Sequence, residues 1–544
     1  MKRLVYVSMV LVLLLSLMLS ACTPATPAAS STAPTSSAKP TTSAVAPAAT
    51  STTAVVSSPS PAGAPVPGGT LVMMMTQAAD SFGYPPKITG PNRDYAPPFF
   101  DRLLQIDNNN VYQPQLATSW ETAADGKSIT FKLRQGVKFQ DGTEFNADAV
   151  KFNFNELIPP KSTILDGVAS IDVVDPFTLR INLSSFNNLI LFQIASAYEC
   201  YIVSPTAFKA HDATWAAINP VGTGPFKLSS YERGVKMTLA KNPDYWEKGV
   251  PFLDGIVINT VPDPMTQMAS FKAGQANVIF DSKTGDQLRD AGYPILNAPG
   301  SIFVLSIDTK NNTTLADPRV RMAIEYAVDK EAICKGPGAG LYTPAYQIVP
   351  TGSKSYNTTL TPRKYDPAMA KKLLADAGIS GGFTFKYYNL SSYWKDGIVA
   401  IQANLAAVGI KMEIVDISTA ALAEIRNLGK IEAGAAGQMT MNIYSNPLYH
   451  IDLYMRTTSN NWQYVVRPAA IDALITQAKA AKDDAAMIKI TQDISKLVYD
   501  DETVIPFWLN PRIVVLDKSV QNIGYFINGD SANNIFGKYT WFKK

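Results

Sequence analysis

Gln115-Leu-Ala-Thr-Ser-Trp120-Glu121, Asp125-Gly126-Lys127, Phe131-Lys-Leu-Arg-Gln-Gly-Val-Lys-Phe-Gln-Asp-Gly-Thr143 and Phe145-Asn-Ala-Asp-Ala-Val150 follow one another in a region dense with turns. The pairs Asp125-Gly126, Gln135-Gly136 and Asp141-Gly142 divide it in hairpin fashion. Between the first two lies Ser128-Ile-Thr-Phe-Lys-Leu133, whose apolar residues alternate with polar ones as in a half-buried strand. Gly126, Gly136 and Gly142 are read as turn residues, and Trp120 and Phe139 as core.

Similar strand-like runs continue outward in both directions. They are Thr70-Leu-Val-Met-Met-Met75, Phe177-Thr-Leu-Arg-Ile-Asn-Leu183, Ile256-Val-Ile-Asn-Thr-Val261 and Phe303-Val-Leu-Ser-Ile-Asp308. Helical runs separate them. Asp317-Pro318 opens one, because Asp caps the first turn and Pro there loses no needed hydrogen bond. Val320, Ala323, Ile324 and Ala327 then share a face. Asp366-Pro367 repeats that start ahead of Ala370, Leu373, Leu374 and Ala377, and Gly378 ends the run. Two more helices are expected over about 468–481 and 484–499. The body is therefore α/β, and no repeat of solenoid length is present.

The chain has 544 residues, with 48 Lys and Arg against 45 Asp and Glu. Lys2, Arg3 and Lys39, the charges before Gly68, account for the whole surplus of +3. A neutral body lacks the electrostatic footprint of a nucleic-acid or anionic-lipid binder. Lys2 and Arg3 precede an apolar run from Leu4 to Leu19, and Ser20 and Ala21 stand before Cys22. That order describes a secretory signal peptide over residues 1–21. The run is short for the ~20 apolar residues of a spanning helix. Leu19-Ser-Ala-Cys22 resembles a bacterial lipobox, which implies that Cys22 carries a lipid anchor. Residues 22–67 are Ser, Thr, Ala and Pro without an aromatic side chain, a composition expected to form a disordered linker. About 475 residues remain, enough for two or three domain-sized units. Cys200 and Cys334 read as small buried hydrophobes, with pairing left open in an oxidising compartment.

Enzyme chemistry finds little support. The two histidines, His211 and His450, are far apart and belong to no HExxH or Cys/His cluster. Gly378-Ile-Ser-Gly-Gly382 matches G-x-S-x-G, but a helix precedes it and a strand follows, the reverse of a nucleophile elbow. Gly222-Thr-Gly224 lacks the P-loop lysine. No catalytic residue, metal ligand or cofactor is assigned.

The opening block resembles the signature of family 5 extracellular solute-binding proteins, the peptide and nickel-chelate receptors of ABC importers. Val221-Gly-Thr-Gly-Pro-Phe226, Lys241-Asn-Pro-Asp-Tyr-Trp246 and Phe271-Lys-Ala-Gly-Gln275 extend the likeness. So do Asp317-Pro-Arg-Val-Arg-Met-Ala-Ile324, Ala327-Val-Asp-Lys330, Tyr365-Asp-Pro367, Lys372-Leu-Leu-Ala-Asp-Ala-Gly378 and Ala406-Ala-Val-Gly-Ile410, all in family order. The resemblance implies a two-lobed periplasmic-binding-protein-like fold of the cluster C type, with a subdomain inserted in the first lobe. Lobe I is expected over 68–99, 216–300 and 502–544, the insertion over 100–215, and lobe II over 301–501. Hinge closure on a solute is the expected motion. The implied partners are a small solute, a permease and an ATPase. The protein is expected to be a monomer on the extracytoplasmic face of the envelope, held to the membrane by its lipid alone, with no nucleic acid. A solute sensor or chaperone-like binder of the same fold, and a secreted hydrolase, are the other readings.

A receptor pocket needs an apolar, partly aromatic wall and a few polar groups. By resemblance the wall draws on Met75 and Gln77, on Tyr388, Tyr393 and Trp394, on Met439, Met441, Ile443 and Tyr444, and on Asn461. Methionines offer an adaptable apolar surface, and they also suit the core of two strands. Peptide receptors of the family read Trp, two residues, then Asp-Tyr-Pro-Asp-Pro, with the first aspartate holding the peptide ammonium. Aligning on Tyr444 and Pro447 puts Ile443 at that aspartate and Asn446 at the second. The resemblance thus implies a pocket without that fixed negative charge, in which a free ammonium goes unpaired at a cost of about several kcal/mol.

Overall fold

The computed structural model describes residues 64–543, apart from 89, 108–110, 160, 163, 281, 390–394, 419–420, 422–433, 438–445, 460 and 524–536. The signal peptide, Cys22 and nearly all of the linker therefore lie outside the described residues. Strand β1 (Thr70–Met75) is followed by β2 (Ala117–Thr122), β3 (Ser128–Leu133), helix α1 (Ala147–Phe154), β4 (Val168–Asp175) and β5 (Thr178–Leu183). Helix α2 (Leu189–Ser196) leads to β6 (Phe226–Glu232), β7 (Lys236–Lys241), β8 (Gly255–Thr260), β9 (Val278–Ile279) and the long β10 (Ile295–Ile307). Next come α3 (Pro318–Ala327), α4 (Pro367–Asp376), β11 (Phe383–Asn389), β12 (Ile410–Asp416) and β13 (Gly434–Gly437). Helices α5 (Pro447–Met455), α6 (Ile471–Ala480) and α7 (Asp484–Asp501) precede the long strand β14 (Val504–Leu516).

One sheet runs in the order β12-β11-β13-β10-β14-β9-β1-β8-β7-β6, and a second in the order β2-β3-β5-β4. Strand β1 sits parallel to both β8 and β9. Its two faces are both covered: Met73 and Met75 enter one hydrophobic cluster and Met74 another. All three methionines are core residues.

The expected helix starts have the expected chemistry. The Asp317 carboxylate accepts from the Arg319 amide at 2.8 Å, and Asp366 accepts from Met369 at 2.9 Å. Each such cap contributes about 1 kcal/mol. Val320, Ala323, Ile324 and Ala327 form the buried face of α3. Gly378, with φ +78, follows the end of α4, so Ser380 sits in a turn after a helix. In the second sheet Gly126 has φ +74 between β2 and β3. Phe131 and Phe139 are buried there, and Trp120 packs half-buried against them.

The second sheet and α1 enclose a core of their own, running from Leu103 to Ile202. Both ends of this block root in the cluster around β1, through Phe99, Phe100, Tyr201 and Val203. Two further clusters fill the region from Ile302 to Leu509. Cys200 and Cys334 are free and buried, and burial pushes the Cys334 thiol up to about 12. Among the described residues no helix is long and apolar enough to cross a membrane.

Candidate functional site

Strands β10 and β14 form an antiparallel ribbon that joins the two halves of the large sheet. Phe303 to Ser306 pair with Val504 to Trp508, and Ile295 to Ala298 pair with Arg512 to Val515. The side chains follow the same division. Val504, Ile505, Phe507, Trp508 and Leu509 bury in the clusters of the 302–509 region, whereas Val514 and Leu516 bury in the cluster around β1. The register slips between Ala298 and Ser301, at the junction of the two halves. Gly300 is required there, because a Cβ would lie 1.6 Å from the Asn510 carbonyl oxygen.

Polar groups gather around this junction. The Arg512 guanidinium meets the buried Asp94 through two bonds, at 2.8 and 3.3 Å, and lies over the Phe280 ring. Two residues before it on the ribbon, the Asn510 Oδ1 is buried with no hydrogen-bond partner among the described residues. Arg93, adjacent to Asp94, donates to Glu199 at 3.0 Å and lies over the Tyr198 ring. On α5, His450 is half-buried as a residue, yet both ring nitrogens are out of solvent and have no hydrogen-bond partner among the described residues. Burial first, and the Arg93 charge second, push its pKa down to about 3, so it is neutral. Buried acceptors and donors of this kind find water or a ligand as their partner. The arrangement offers hydrogen bonds and aromatic faces, with each guanidinium here matched by a carboxylate.

The residues expected on the pocket wall fall in several places. Met75 is buried at the end of β1, and Gln77 is exposed, its carbonyl accepting from the Tyr95 hydroxyl. Tyr388, on β11, is buried in the same cluster as Trp462, Leu448 and Ile451. Asn461 turns its amide back on α5: Nδ2 donates to the Leu453 carbonyl at 3.3 Å, and its carbonyl accepts from Arg467. Tyr393, Trp394, Met439, Met441, Ile443 and Tyr444 lie outside the described residues. Arg93, His450 and Asn510 were not singled out as site residues in the sequence. His450, one of only two histidines, was the available signal.

The sequence pattern described as "Bacterial extracellular solute-binding proteins, family 5 Middle" matches residues 111–462. The chain belongs to that family. Among curated relatives, the glutathione-binding protein GsiB of Shigella flexneri is 28% identical over 458 residues, covering 80% of this chain and 87% of the relative. Among solved structures, the ABC transporter-associated periplasmic binding protein DppA of Helicobacter pylori, in complex with the peptide STSA, superposes with a TM-score of 0.76 at 25% identity. It covers 88% of this chain and 99% of that one. The binding protein AgaA of A. tumefaciens R10, in complex with agropinic acid, has a TM-score of 0.75 at 26% identity, with the same coverage. The two-lobed fold is thus that of the periplasmic binding proteins. This family 5 protein is a solute-binding protein of the peptide-importer type and not an enzyme.

Proposed function

We propose that the protein is the receptor of a peptide-type ABC importer, taking up a peptide or another small organic solute between two lobes and delivering it to a membrane permease. The ribbon of β10 and β14 carries this reading, because two sheet halves joined by two strands with a register slip can hinge about that slip. Lobe I would comprise 68–99, 216–300 and 502–544, the inserted subdomain 100–215, and lobe II 301–501. Met75, Gln77, Tyr388, Tyr393, Trp394, Met439, Met441, Ile443, Tyr444 and Asn461 are its proposed wall. The mature chain would be a monomer, leashed outside the cell by a lipid on Cys22. An intact mass of the membrane-extracted protein without a lipid on that cysteine would remove the anchor.

Titration with glutathione and a pooled set of di- to tetrapeptides tests the reading, by calorimetry and by the shift in unfolding temperature. Binding of at least one is expected; no binding by any would overturn it. The proposed pocket lacks the ammonium-holding aspartate, so N-acetylated peptides should bind at least as tightly as free-amine ones. Ile443→Asp should raise affinity for free-amine peptides selectively, and an unchanged preference would show that Ile443 is not at that point.

A further inference from the structure

We infer that Asn188 and Lys479 form a closure latch outside the solute pocket, a contact made only when the lobes come together and adding the same increment to the affinity for every solute. This rests on the receptor reading above. The block of residues around β2–β5 is rooted by both of its chain ends in the cluster around β1. It nevertheless reaches the other half of the molecule at the start of α2. Leu189 is fully buried in the cluster of Leu448, Ile451, Ile471 and Ile475. The Phe192 ring lies 5.6 Å from Tyr449 of α5.

Asn188 supplies hydrogen bonds across the same seam. Its Nδ2 donates to the carbonyls of Ala478 and Ala481 at 2.7 and 3.1 Å, and its backbone amide donates to the Lys479 carbonyl at 2.9 Å. The last carbonyls of a helix lack donors within that helix. Asn188 therefore caps the C-terminal end of α6 from a distant part of the chain. Lys479, whose side chain is 12% exposed, holds Asp452 of its own half at 2.9 Å and reaches Asp166 of the facing block at 3.4 Å. No strand crosses this seam among the described residues. A hinge at the Gly300–Asn510 slip would carry the block away with the first half and part these groups together.

A contact present only in the closed state raises the closed population for any bound solute, so it changes affinities without changing their ratios. The test uses native protein and Asn188→Ala, with glutathione and the di- to tetrapeptide pool as probes. Loss of two hydrogen bonds should weaken each probe that binds by roughly tenfold in Asn188→Ala. The order of preference should be kept, release should be faster, and association should be nearly unchanged. The unfolding temperature without solute should match that of the native chain, because the open form lacks the contact. Three results would overturn the latch while leaving the receptor intact: unchanged affinity, an altered order of preference, or an unfolding temperature lowered without solute. Failure of every probe to bind the native protein would instead overturn the receptor reading, and the latch with it.

Discussion

Two polar clusters, one inside the second half and one at its edge, differ in what surrounds them. Inside the second half, Lys330 and Glu325 pair at 2.7 Å with side chains only 1% exposed, and Arg363 bridges Glu325 to Glu502. At the seam between the halves, Asn188 binds backbone carbonyls, and Lys479 reaches an Asp166 that is 58% exposed. The first cluster has no water to fall back on, and the second has water on one side. A buried charge that loses its partner is stranded, whereas groups at a seam exchange protein partners for solvent. The buried cluster should therefore carry stability, and the seam should carry closure.

Glu325→Ala gives the largest expected effect. It leaves the Lys330 ammonium, already pulled below its usual range by burial, without its carboxylate. Removing one member of such a pair costs about 3–5 kcal/mol. Chemical denaturation should register the loss, while solute affinity of the folded protein should stay native. An affinity change as large as the stability change would erase the distinction between the two clusters.

His450 gives an intermediate effect. Its folded pKa of about 3 lies below the ordinary 6.5, so the unfolded chain binds the proton first. Stability is complete above pH 6.5 and is lost as pH falls from there toward 3, by at most about 1.4 kcal/mol per pH unit. Arg93 across the seam opposes protonation, and Tyr449 and Tyr454 supply neutral ring contacts. With a saturating peptide holding the lobes closed, His450→Phe should flatten the acid limb of the unfolding curve between pH 6.5 and 4. An identical limb in both proteins would place the histidine in solvent.

Asp166→Asn should do least, weakening solute binding by under about 1 kcal/mol, because an exposed carboxylate facing a lysine contributes little. A larger loss would mean that Lys479 depends on Asp166 rather than on Asp452.

Much of this fold was legible in the chain. The Asp317-Pro318 and Asp366-Pro367 starts are local signals, complete within four residues, and both helices stand where those signals point. The ribbon was legible only in part. Phe303 to Asp308 reads as a strand, but β10 begins at Ile295, since pairing with β14 carries it through Pro299 and Gly300. Strand β14 holds Pro506 and Pro511 and is buried along nearly its whole length. A strand covered on both faces loses the alternation that betrays others. Asn188 was harder still: its partners are backbone carbonyls 290 and 293 residues away, and a carbonyl has no residue identity to read. The pocket wall depends on segments such as 438–445, which lie outside the described residues.

Small-angle X-ray scattering of the native protein, without solute and with a saturating peptide that raises its unfolding temperature, tests the receptor account most directly. Hinge closure about the β10–β14 ribbon predicts a smaller radius of gyration with the peptide bound. Superimposable profiles with and without that peptide would contradict it.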